Sequence, residues 1–60
     1  MKLVEFHDLN NPARVVLFDA DDFSTVLPLP TGSVVYRKDS DLPVYVHESP
    51  EEVATVIGAV

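Results

Sequence analysis

The sequence predicts an α+β fold: four to five short antiparallel strands, as a curled sheet or small open barrel, followed by one C-terminal helix. Two observations carry that prediction. Short apolar or alternating stretches recur at roughly 8–12-residue spacing with turn formers between them, the pattern of a small antiparallel sheet. The final stretch, Ser49 to Val60, instead carries a helix start signal followed by apolar residues at helical spacing.

Leu3 to His7 forms the first expected strand, with Val4 and Phe6 on one face and Glu5 and His7 on the other. Asp8-Leu9-Asn10-Asn11-Pro12 follows as a turn, in which two asparagines tolerate a left-handed backbone. Arg14 to Phe18 is the second strand. Val15, Val16, Leu17 and Phe18 make it apolar on both faces, which predicts a central position. Asp19-Ala20-Asp21-Asp22 breaks the chain before a third extended stretch, Phe23 to Leu27, with Phe23, Thr25 and Leu27 on one side. Pro28 and Pro30 cannot donate to a ladder, so this stretch ends there or lies at an edge. Thr31-Gly32 turns into Ser33 to Lys38, where Val34 and Tyr36 alternate with Val35 and Arg37. After Asp39-Ser40-Asp41, Leu42 to His47 is the last strand, setting Val44 and Val46 against Tyr45 and His47.

The helix is the most fully specified element. Ser49 suits the N-cap, Pro50 the first helical position, and Glu52 completes a capping box. Glu51 and Glu52 place negative charge at the positive end of the helix dipole. Val53, Val56, Ile57 and Val60 recur on one face, and a helix this short and β-branched needs something to cover them.

Sixty residues imply a single small domain, 1–60, near the lower size limit for unaided folding. The chain has no cysteine, so disulfides, thiolate zinc sites and cysteine nucleophiles are absent and association is the remaining common staple. A protein partner or a second copy, in a homodimer or larger assembly, is therefore expected. No apolar run approaches a membrane span and Met1-Lys2-Leu3-Val4-Glu5 lacks a signal-peptide core, which leads to the expectation of a cytoplasmic protein. Ten acidic residues against four basic ones give a net charge of −6. Nucleic-acid binding depends on lysine and arginine displacing counterions, and this balance argues against it.

No residue set points to catalysis, a cofactor or a metal. Asp19, Asp21 and Asp22 cluster, but a calcium loop needs a glycine at its bend and a distal glutamate in register, and neither is present. Solvated turn aspartates bonding to nearby backbone are the simpler reading. His7 and His47, the only imidazoles, become neighbours if the first and last strands pair, and otherwise read as surface histidines. Ser24, Ser33, Ser40 and Ser49 lack a recognisable base and orienting acid, and only Gly32 and Gly58 are available for a phosphate loop. A non-enzymatic protein is expected.

Recognition is the remaining role. Tyr36, Arg37, Lys38 and Tyr45 form a candidate interface, because tyrosine and arginine are enriched where proteins bind proteins. Leu27 and Leu29 join them, since a closed core is hard to complete beside two prolines. Stacking of single-stranded nucleic acid on the tyrosines is the competing use, disfavoured by the surrounding negative charge.

Leu9-Asn10-Asn11 at the first turn and Val44-Tyr45-Val46-His47-Glu48-Ser49-Pro50-Glu51-Glu52-Val53 at the end resemble the small FlbD-like proteins encoded with bacterial flagellar genes. Phe23 to Leu27 before Pro28 is similar to that family's amphipathic stretch ahead of a proline. The family's usual Asn-Gly turn is Asn10-Asn11 here, and Asp39-Ser40-Asp41 replaces a later one. The resemblance implies a flagellum-associated role and no catalytic residues. The resulting expectation is a small acidic protein-interaction module. Two alternatives are a phage-encoded acidic inhibitor or nucleic-acid mimic of a host enzyme, presenting Asp19, Asp21, Asp22, Glu48, Glu51 and Glu52, and a small structural component of a virion or flagellar assembly.

Overall fold

The computed structural model describes residues 1–60 as two antiparallel sheets and one C-terminal helix, an α+β arrangement. The first sheet pairs β1 (Leu3–His7) with β2 (Val15–Asp19), and the second orders β3 (Phe23–Leu29), β4 (Gly32–Arg37) and β5 (Val44–Val46) as β3-β4-β5. Helix α1 spans Pro50–Gly58 and packs against β3 and β1, one strand from each sheet. An antiparallel bridge between Asp8 and Val46 links the sheets. It is flanked by hydrogen bonds from the His47 N–H to the His7 carbonyl (2.7 Å) and from the Leu9 N–H to the Tyr45 carbonyl (3.3 Å). β2 and β3 do not pair, so the sheets are not closed.

The core lies where the inner faces of both sheets meet the helix. Val4, Phe6 and Phe18 come from the first sheet, Val35 and Val46 from the second, and Val53 from α1. Phe6 and Phe18 pack as tilted rings with centroids 6.0 Å apart. Val53 is fully buried, and Val56 and Ile57 pack beside it. The capping box is complete: the Glu52 N–H donates to Ser49 Oγ and the Ser49 N–H donates to Glu52 Oε1, each at 3.2 Å. Val60 lies beyond the helix and is exposed, so the expected apolar stripe ends at Ile57.

Several strand expectations change. β2 is an edge strand despite its apolar sequence: Val4 pairs with Phe18 and Phe6 with Val16, which leaves Val15 and Leu17 on the outer face. Leu17 is 61% exposed. β3 runs through Pro28 to Leu29, longer than Phe23 to Leu27, and lies at the sheet edge, one of the two outcomes expected for it; an edge strand tolerates proline when the missing N–H faces away from the ladder. An irregularity in register between Phe23 and Thr25 puts Phe23 and Val26 against the core, displacing Thr25 and Leu27 outward. β5 contracts to three residues, with Leu42 exposed outside it. No residue has a positive φ. The first connection is instead shaped by Asp8, whose Oδ2 accepts from the N–H groups of Asn10 (3.1 Å) and Asn11 (3.0 Å). Pro12 then leads a turn closed from the Arg14 N–H to the Asn11 carbonyl (2.9 Å).

Gly32 marks the tightest backbone approach. A Cβ there falls 2.2 Å from the Val46 carbonyl oxygen, 2.8 Å from Leu9 Cδ1 and 3.2 Å from the His47 Cα. A glycine is required by proximity, since its φ is not positive.

Candidate functional site

Register decides which candidate residues meet. Leu27 pairs with Val34, and Val34 pairs with Tyr45, so these three form a row across the outer face of the second sheet. Thr25 pairs with Tyr36, two residues along β4 from Val34, placing Tyr36 on the same face. Leu29, paired with Gly32, extends the face toward the hairpin. Leu27 is 48% exposed and Tyr45 49%, while Tyr36 and Leu29 are half-buried. Val34, between them, is buried beneath its neighbours. The outcome is an apolar and aromatic row with no carboxylate among its members.

Arg37 and Lys38 do not join this row as a pair. Arg37 pairs with Phe23 and alternates away from the Tyr36 face, and Lys38 follows the strand end, its N–H donating to the Asp22 carbonyl at 2.8 Å. The tyrosines are thus separated from one of the two cations that a stacking platform needs.

The acidic residues have local partners. Asp19 Oδ1 accepts from the N–H groups of Lys2 (3.1 Å) and Asp21 (3.0 Å), capping a 3₁₀ turn over Ala20–Asp22. Those bonds hold the Asp19 carboxyl below its ordinary value. Asp21 lies 3.5 Å from the terminal amine of Met1. The Glu52 carboxylate is occupied by the capping box. No group of three or more histidine and carboxylate side chains is placed to share a cation.

A polar cluster that periodicity does not reveal lies at the strand–helix junction. The Glu48 carboxylate accepts twice from His7, from its backbone N–H at Oε1 (2.9 Å) and from ring Nδ1–H at Oε2 (2.5 Å). Fully buried Ser33 donates from Oγ to the Glu48 carbonyl (2.7 Å). Burial pushes the Glu48 carboxyl upward, but hydrogen bonds from the His7 ring, the His7 N–H and its own N–H outweigh it and hold the group below 4.5. His7 and His47 are neighbours through the backbone, yet the His7 ring is engaged by Glu48. The only sequence signal for this clamp is a glutamate immediately before the N-cap, and its partner is forty-one positions away.

Comparison with family models, curated proteins and solved structures returns no match for this chain. No helix is long and apolar enough to cross a membrane. The fold and its surface define a class and no more: a small α+β domain with an apolar row on one sheet face.

Proposed function

We propose that this protein is a non-enzymatic interaction module that docks a second copy of itself through the outer face of β3–β4–β5. The observation that carries this reading is the row Leu27–Val34–Tyr45, with Tyr36 and Leu29 beside it, exposing apolar surface without a carboxylate in its midst. Contiguous apolar surface on a small domain marks association sites, and two-fold pairing is the commonest closed solution. In this reading the two sheets, linked at Asp8 and Val46, act as one open barrel whose inner side is filled by α1. The resemblance to FlbD-like proteins supports a cytoplasmic, flagellum-associated setting for that association. The local engagement of Asp19, Glu48 and Glu52 weighs against the acidic-mimic alternative.

Sedimentation velocity on the parent and on Leu27→Glu tests the proposal. The parent should sediment as a dimer or larger at tens of micromolar, and Leu27→Glu as a folded monomer. A monomeric parent, or a variant that associates as the parent does, contradicts it.

A further inference from the structure

We infer that the free edge of β2 is a strand-addition site for an extended segment of another protein that alternates apolar with basic residues. Hydrogen bonds from the Asp8 N–H to the Arg14 carbonyl (3.0 Å) and from the Ala20 N–H to the Lys2 carbonyl (2.8 Å) bracket the β1–β2 ladder. With Val4 opposite Phe18 and Phe6 opposite Val16, they assign the even-numbered residues of β2 to bonds with β1. The N–H and C=O groups of Val15 and Leu17 and the N–H of Asp19 therefore face outward, where no strand pairs with them; the Asp19 carbonyl belongs to the 3₁₀ turn that it caps.

Of the two strands that have no neighbour at all on one side, β2 and β3, only β3 is protected. β3 carries Pro28, which removes a donor, and an irregular register near Ser24. Both are devices that keep other strands from pairing. β2 has no proline, glycine, lysine or register shift, and it exposes Val15 and Leu17 beside its free groups. An edge of this kind takes an added strand through main-chain bonds, with alternate side chains supplying selectivity.

Charge selects the occupant. The carboxylate that stands unengaged on the outer face beside the edge is Glu5, paired with Leu17, whereas Asp19, paired with Leu3, has one oxygen held by the Lys2 and Asp21 N–H groups. Asp21, in the turn that follows, lies 3.5 Å from the Met1 amine. Glu5 makes no ion pair, and no lysine or arginine occupies the outer-face positions of β1 or β2. A second copy of this chain brings another −6 to the same edge, whereas a segment with lysine or arginine between apolar residues answers both features. This site depends on the β2 backbone and is independent of the outer face of β3–β5.

The test uses the full chain at a concentration where it is monomeric, with amide resonances followed during titration. One probe is a short capped peptide of alternating valine and lysine, and the other its valine–glutamate counterpart. The lysine peptide should shift and protect the amides of Val15, Leu17 and Asp19 saturably, and the effect should weaken with salt. The glutamate peptide should leave them unchanged. Leu17→Pro, which removes an outward donor, should abolish the effect. Leu17→Lys keeps every backbone group and sets one positive charge opposite Glu5, so it should weaken binding several-fold even if the proline variant does not fold. Equal binding of both peptides, protection elsewhere, or no protection at all overturns the inference. So does protection of these amides that rises with the protein's own concentration.

Discussion

Single residues decide where the chain is pinned. Gly32 holds β4 against β5, and Gly32→Ala must displace the Val46 carbonyl or the strand itself. Overpacking of this kind costs about 1–3 kcal/mol, so the melting temperature should fall by roughly 4–8 °C per kcal/mol in a domain this small. A variant that melts with the parent removes the close approach as a constraint. Glu48 gives a second prediction, about pH. Its folded carboxyl titrates below the ordinary 4.5, so the clamp on His7 stabilises the fold fully above that value and is lost as pH falls through the depressed one. Hydrogen bonds to a charged group contribute about 1.5–3 kcal/mol, and Glu48→Gln should lose much of that at neutral pH. Parent and variant stabilities should converge in acid, with Asp19 leaving a residual pH dependence in both. Urea unfolding from neutral pH to below 4 checks this; a gap that does not narrow excludes the clamp as its source.

At the scale of elements, legibility follows how local each signal is. The helix was readable because Ser49, Pro50 and Glu52 act on backbone groups within one turn, and the capping box is present as expected. Ser49→Ala should therefore cost about 1 kcal/mol, seen as an earlier thermal transition, whereas superimposable transitions would mean the cap contributes nothing. β1 was equally readable from its alternation. β2 departs from its expected central place because a run apolar on both faces calls for a layer on each face, and the helix covers only the inner one, a fact not written into the run itself. The shift at Phe23–Thr25 similarly reversed an alternation that looked regular, moving Leu27 outward and Val26 inward. Register also decides which candidate residues share a face: Tyr36, Tyr45, Leu27 and Leu29 do, whereas Arg37 alternates away. The Glu48–His7 clamp was not, since it joins residues from opposite ends of the chain.

For the whole molecule, seven hydrophobic residues are buried, while Leu3, Val15, Leu17, Leu27, Leu42 and Tyr45 are each roughly half exposed or more. The helix accounts for this division. It is short and covers only the inner side, so each sheet keeps an uncovered outer face. Charge then separates the two faces: the β1–β2 side carries Glu5 and Asp19, while the row on β3–β5 carries none. Like-charge repulsion in a chain of net charge −6 is smallest where the neutral row meets its own copy. The proposed self-association uses this row. Amide chemical shifts followed on dilution from hundreds of micromolar to a few micromolar test it most directly. Concentration-dependent shifts should centre on Leu27, Val34, Tyr36 and Tyr45 and leave β2 and α1 unmoved. Shifts confined to β2 or the helix, or none at all, would contradict it.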